Sequence, residues 1–220
     1  MKLILFDCDG TLVDSQHLIV EAMSRAFLGA GLAPLARQQV LAIVGLSLPL
    51  AIERLMPDYS SEKVKEVVHG YRDAFAELRR DPDHHEPLYD GMMDLILALS
   101  ASDSQLLGVA TGKSVRGVQG LFDRFNLHAH FATIQTADTN PSKPHPAMIE
   151  TAMLETGVEP EDVVMIGDTT FDIEMAVNAG VKSIGVAWGY HPVGDLAASG
   201  AHEVVGDADD LSAAIMRSLT

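Results

Sequence analysis

The sequence predicts an α/β fold, a parallel sheet with helices on both faces, interrupted by an inserted all-α unit. Three observations lead there. Short, continuously apolar runs at 3–6, 106–110, 131–135, 163–166 and 183–187, with a briefer one at 203–205, have the character of strands buried on both sides. After residue 90 these runs alternate with helical periodicity at 92–99, 115–125, 146–155 and 171–178, the rhythm of parallel strands joined by crossover helices. Between the first run and residue 90 that rhythm stops, and residues 15–87 offer helical stretches without a convincing strand.

Taken in order, the first run, Leu3-Ile4-Leu5-Phe6, ends abruptly at Asp7. The inserted stretch reads as helices at 17–28, 36–44, 49–55 and 61–79, the last with Val64, Val67, Val68, Tyr71 and Phe75 at helical spacing. Residues 14–16 and the proline-marked Asp81-Pro82-Asp83-His84-His85-Glu86-Pro87 read as hinges. The expected division is therefore a core of residues 1–14 and 88–220 and a helical domain of residues 15–87. Pro146 suits the opening of a helix, and Asn178-Ala179-Gly180 is a glycine stop.

With 31 Asp and Glu against 15 Lys and Arg, the formal charge is −16, so the long-range field repels polynucleotides and anionic membranes. Neither is expected as a partner. An anionic substrate would have to be neutralised locally, by a metal or a few placed cations. The single cysteine, Cys8, rules out an internal disulfide and reads as a buried packing thiol. With no apolar run of membrane-spanning length, a cytoplasmic protein, monomer or homodimer, is expected.

The chemistry-bearing residues stand at strand ends, where open parallel sheets bind ligands. Asp7 and Asp9 follow the first strand two positions apart, so in extended geometry both carboxylates project to one side while Cys8 points away. Two carboxylates held together invite a hard cation with oxygen ligands, Mg²⁺ most simply. Asp9-Gly10 also fits a plain turn. Asp168 and Asp172 follow a second buried strand in Gly167-Asp168-Thr169-Thr170-Phe171-Asp172, and Asp172 also suits a helix first turn without any function. Thr111-Gly112-Lys113-Ser114 ends a third strand, with a hydroxyl and free amides that suit a phosphate. It is no nucleotide-binding P-loop, because Leu107 stands where the required glycine would be. Lys143 lies in a loop stiffened by Pro144 and Pro146 and offers fixed positive charge. Val44-Gly45-Leu46-Ser47-Leu48-Pro49 reads either as a lid loop or as a helix stop followed by a helix start. The nine histidines form no zinc-ligand spacing and read as surface residues.

Together, Asp7-Cys8-Asp9-Gly10-Thr11-Leu12-Val13-Asp14-Ser15, Thr111, Lys143 and Gly167-Asp168-Thr169-Thr170-Phe171-Asp172 resemble the four motifs of the haloacid dehalogenase superfamily, in order and across the whole chain, in a phosphoglycolate phosphatase-like form. The resemblance implies a Rossmann-like core with an inserted helical cap, and a Mg²⁺-dependent phosphatase acting on a small phosphorylated metabolite through an aspartyl-phosphate. It implies Asp7 as nucleophile, Asp9 as acid and base, and Thr111, Gly112 and Lys143 around the phosphoryl oxygens. Asp7, the Asp9 carbonyl and Asp168 would hold the metal, with Asp172 acting nearby, and Gly45 and Leu46 would contact substrate. Asp9 argues against dehalogenation, which the family performs without an aspartate there. A β-phosphoglucomutase-like mutase, a pyrophosphatase and a catalytically idle metabolite-binding member are the alternatives. Thr111-Gly112-Lys113 departs from the Thr-Asn-Lys common among phosphoglycolate phosphatases, which weakens the case for that substrate.

Overall fold

A computed structural model describes residues 1–80 and 85–219. Six parallel strands, β1 (Lys2–Phe6), β2 (Gln105–Thr111), β3 (Phe131–Thr136), β4 (Val163–Gly167), β5 (Lys182–Val186) and β6 (Glu203–Val205), lie in the order β3-β2-β1-β4-β5-β6. The order reverses direction between β1 and β4, so the crevice beyond the carboxyl ends of those two strands is where such a sheet takes a ligand.

Alternation along β1 explains why its run is continuously apolar. Ile4 and Phe6 face one layer, where they meet Met92, Ile96, Val118, Phe122 and Ile215, while Leu3 and Leu5 face Met148, Ile149, Met175 and Ala176 in the other. The first layer comes from α5 (Met92–Ser100), α6 (Val115–Phe125) and α10 (Ala208–Ser218), the second from α7 (Ala147–Thr156) and α8 (Thr170–Ala179). Phe122, fully buried and 4.8 Å from the Phe131 ring, anchors the first layer; truncating such a residue to alanine costs about 3–5 kcal/mol.

The helical insertion is present as α1 (Gln16–Gly29), α2 (Arg37–Leu41), α3 (Leu48–Leu55) and α4 (Ser61–Leu78). It has its own apolar centre, with Ile19, Met23 and Phe27 of α1 against Val64, Val67 and Val68 of α4. α2 is shorter than the periodicity predicts. After Leu41 the chain descends through tight turns, Ile43 to Val40, Val44 to Leu41 and Leu46 to Ile43, with Gly45 at φ +99. The two chain crossings are tied side by side: Val13 bridges Leu88, and the Asp14 N–H donates to the Pro87 carbonyl at 2.9 Å. Residues 81–84 of the expected second hinge lie outside the described residues. Two C-terminal helices, α9 (Val193–Ala198) and α10, were not among the expectations from sequence. Among the described residues no helix is long and apolar enough to cross a membrane.

Candidate active site

The switch point brings Asp7, Asp168 and Asp172 together, with one carboxylate oxygen of each within 4.8 Å of the others, all three buried. Asp7 continues β1 by one rung, its N–H donating to the Ile166 carbonyl at 2.9 Å, so the β1–β4 pairing itself sets its place beside Asp168. Lys143 enters the cluster fully buried, 3.0 Å from Asp7 Oδ1 and 2.5 Å from Asp172 Oδ1. The Oδ2 of Asp172 accepts from the Thr169 amide and hydroxyl at the head of α8, so this aspartate caps a helix and holds Lys143 at once. Asp168 accepts from the Thr11 hydroxyl at 2.8 Å and the Tyr190 amide at 2.9 Å. Gly10, at φ +88, makes room: a Cβ there would stand 2.2 Å from Asp168 Oδ2.

Three buried carboxylates against one ammonium leave a formal −2 when all are ionised. Burial, then the charges of Asp172 and Asp7, raise the Asp168 carboxyl well above its usual range. Burial raises Asp7 to about 6, Lys143 pulling it back and Asp172 pushing it up. Burial alone would lower Lys143, but Asp172 and Asp7 outweigh it and hold the ammonium charged. Asp7 Oδ2 is buried without a hydrogen-bond partner. An orphaned carboxylate oxygen in an all-oxygen set, formally −2 when ionised, suits a hard divalent cation.

Asp9 does not join this cluster through its side chain. Its Oδ1 accepts from Lys113 Nζ at 2.7 Å and the Ser15 hydroxyl at 2.6 Å. Lys113 also binds Glu86 at 2.6 Å, and Glu86 in turn binds Arg79 at 3.2 Å, so an alternating chain of charge runs from Asp9 to the residue that follows α4. Burial opposes the charge on Lys113, but Asp9 and Glu86 raise its pKa beyond the ordinary value. Asp7 and Asp9 thus share one cavity while each is held by its own lysine. Sequence reasoning missed Lys113, Glu86 and Arg79 as site residues. The available signal was Gly117 and Gly120 inside α6, each unfavourable there by about 1 kcal/mol relative to alanine. A Cβ at Gly117 would meet the Lys113 stem at 2.8 Å, and one at Gly120 the Arg79 guanidinium at 2.5 Å.

Thr111, buried, and Gly112 line the same cavity, of ≈ 880 Å³, opposite the Gly45-Leu46 loop. A Cβ at Gly112 would stand 2.5 Å from the Gly45 carbonyl oxygen and 2.6 Å from that of Leu46, so only glycine admits this approach. Leu46 is buried against Phe171, and the Ser47 amide donates to the Ser142 hydroxyl at 2.8 Å, fastening the loop to the Lys143 segment. The histidines require a correction. His191 is half-buried, its Nδ1 accepting from the Thr170 amide at 3.1 Å and its ring edge-on to Phe171. It lies in the loop after β5 that closes over Asp168, where packing withdraws it from solvent, and burial lowers its pKa, keeping the ring neutral.

Residues 4–186 match the profile of the haloacid dehalogenase-like hydrolases. The chain belongs to that family. Among curated members it is 34% identical to a probable phosphatase, IndB, of Dickeya dadantii, with 90% of this chain and 86% of that protein covered. It is 33% identical to the pyrophosphatase PpaX of Anoxybacillus flavithermus, with 84% and 83% covered. A phosphoglycolate phosphatase of Pseudomonas fluorescens is 29% identical, with 86% and 71% covered. Among solved structures, a predicted phosphatase from Clostridium acetobutylicum superposes with a TM-score of 0.87 at 26% identity, covering 98% of both chains. The matched stretch, residues 4–186, spans all four strand-end segments described above.

Proposed function

We propose that this chain is a Mg²⁺-dependent phosphatase that cleaves a phosphate monoester of a small metabolite by transferring the phosphoryl group to Asp7. The observation that carries the proposal is the buried, unpartnered Asp7 Oδ2, on a carboxylate whose Oδ1 lies 3.0 Å from Lys143, in a carboxylate cluster at a cavity that reaches the surface. Curated relatives named as phosphatases support it. Residues 1–14 and 88–220 would be the catalytic core, and residues 15–87 a cap whose Gly45-Leu46 loop covers the floor of the site.

Asp7 and Asp168, with the Asp9 carbonyl, would hold Mg²⁺, and Asp172 would act mainly through Lys143. When bound, the cation neutralises charge on the phosphoryl oxygens and on the clustered carboxylates. Asp7, ionised, attacks phosphorus and displaces the alkoxide, forming an acyl phosphate that water then hydrolyses, so one slow displacement becomes two faster ones. Lys143, Thr111 and the amides after Gly112 bind phosphoryl oxygens, and positioning of this kind dominates phosphoryl transfer. Asp9, oriented by Lys113 and Ser15, gives its proton to the leaving oxygen and takes one from the attacking water. The Gly45-Leu46 loop keeps bulk water out during transfer.

The named pyrophosphatase relative favours a second reading, cleavage of a phosphoanhydride by the same residues. A panel of phosphate esters, pyrophosphate and hexose 1-phosphates, assayed with and without Mg²⁺ and repeated on Asp7→Asn, tests both. Phosphate release that needs Mg²⁺ and vanishes in the variant is expected. Release unaffected by Asp7→Asn would refute the mechanism, isomerisation of a hexose 1-phosphate would indicate a mutase, and inertness toward the whole panel would indicate a binding protein.

A further inference from the structure

The chain has 15 Lys and Arg, yet Arg72, Arg79, Arg80, Lys113 and Arg116 all line the one cavity that opens on Asp7 and Asp9. In a protein of formal charge −16 such a concentration asks for a local reason. Two of the five are accounted for, because Lys113 and Arg79 bind Asp9 and Glu86. Arg72, Arg80 and Arg116 form no ion pair with any carboxylate among the described residues.

All three are exposed and reach the cavity from its solvent side. Arg72, Arg79 and Arg80 recur at intervals of seven and eight along and just beyond α4, so the three follow one another on the side of that segment that lines the cavity. Arg116 is the second residue of α6, and a cation in a helix first turn opposes the helix dipole. The same cavity is lined by Asp7, Asp9, Asp123 and Asp138, so its five cations face four carboxylates, whereas acidic residues outnumber basic ones about twofold in the chain as a whole. The phosphoryl group has its own cation, Lys143, in the buried cluster. A different wall of the cavity, with Ile19, Met23, Val44 and Ala51, is apolar and suits a carbon skeleton.

We infer that the substrate carries a second anionic group, a carboxylate or a second phosphate, which docks on Arg72, Arg80 and Arg116 while the phosphoryl group sits on Asp7. The inference rests on the phosphatase reading for the position of the phosphoryl group, and it narrows the substrate class from phosphate monoesters in general to phosphorylated acids or bisphosphates. An uncharged sugar or alkyl tail leaves the three guanidinium groups unanswered.

The experiment compares kcat/KM of the Mg²⁺-loaded enzyme for phosphoglycolate, 1,3-propanediol bisphosphate and ethyl phosphate, in the natural protein and in the triple variant Arg72→Gln/Arg80→Gln/Arg116→Gln. Charge-assisted contacts of this kind change affinity by roughly tenfold or more each when well desolvated, and less at an open rim. At least about a tenfold preference for one anion-bearing substrate is expected, expressed mainly in KM and lost in the triple variant. The matching Arg→Lys triple variant should retain part of it, which separates charge from folding. Preference for phosphoglycolate over the bisphosphate identifies a carboxylate site, and the reverse a phosphate site. Equal kcat/KM for all three substrates, or a preference that survives the glutamine variant, overturns the inference. Should no ester be hydrolysed, the phosphatase reading fails separately, and calorimetry with phosphonoacetate against ethylphosphonate decides the inference: preferential binding of phosphonoacetate that the triple variant loses upholds it, and equal or absent binding overturns it.

Discussion

Replacing Lys113 with methionine probes the link between Asp9 and the helical unit. The ammonium is buried between Asp9 at 2.7 Å and Glu86 at 2.6 Å, 5.3 Å from the Phe75 ring centroid. Removing one partner of a buried ion pair costs about 3–5 kcal/mol, because the other charge stays behind unanswered. Here both carboxylates keep a second partner, Arg79 for Glu86 at 3.2 Å and Ser15 for Asp9 at 2.6 Å, which places the loss at the lower end, about 3 kcal/mol. For a chain of this length that corresponds to a fall in Tm of roughly 6–12 °C by calorimetry. Adding Glu86→Gln removes the stranded charge and should recover about half of it. Activity should not recover, since Asp9 then keeps only its Ser15 contact and lacks the Lys113 hold. Turnover of an alkyl phosphate, whose leaving oxygen needs a proton, should drop about 10²-fold in both variants, and turnover of p-nitrophenyl phosphate, which leaves unaided, only a few-fold. Equal losses on the two esters, or a Tm unchanged by Lys113→Met, would refute the assignment of Lys113 as the residue that positions Asp9.

Three further outcomes follow from the geometry. Gly112→Asn restores the residue common in phosphoglycolate phosphatases but collides with the Gly45 and Leu46 carbonyls, so it should cost about 1–3 kcal/mol by chemical denaturation and raise KM several-fold through an opened loop. Asp172→Asn weakens the 2.5 Å hold on Lys143 and keeps the α8 cap, so kcat should fall about 10²-fold while Tm shifts by only a few degrees. Asp7 has a folded pKa of about 6 against an ordinary 3.8, so the unfolded chain gives up its proton first. Metal-free stability is therefore greatest below that window and falls as pH rises through it, with Asp168 extending the fall upward. Thermal scans in EDTA and in Mg²⁺ should diverge increasingly as pH rises; a metal-induced gain independent of pH would contradict the sign.

Much of this was legible in the chain because parallel strands are buried on both faces. Leu3 to Phe6 and Val163 to Ile166 carry no polar residue, and the strand built on each is followed directly by an aspartate, Asp7 after Phe6 and Asp168 after Gly167. That pattern places Asp7 and Asp168 on a common rim without any knowledge of their distance. The insertion was legible as missing strands, and Gly45 as a break in helical periodicity. What sequence withheld is tertiary. Lys113, Glu86 and Arg79 meet only because the two crossings at Val13 and Leu88 lie side by side, and Glu86 belongs to a stretch that reads as a polar hinge. The separate fates of Asp7 and Asp9 were also hidden, since alternation gives a side of the strand and not a partner. α9 is short, with Leu196 its one buried residue, and offers little periodicity; α10 does carry its signal, an Asp207 cap with Leu211, Ala214 and Ile215 buried at helical spacing.

Transfer of the phosphoryl group to Asp7 can be observed directly by acid quench during turnover, proteolysis and mass spectrometry. One added phosphoryl group on Asp7, present with Mg²⁺ and substrate and absent in Asp7→Asn, is the expected result. Phosphate on any other residue, or full turnover by Asp7→Asn, would contradict it.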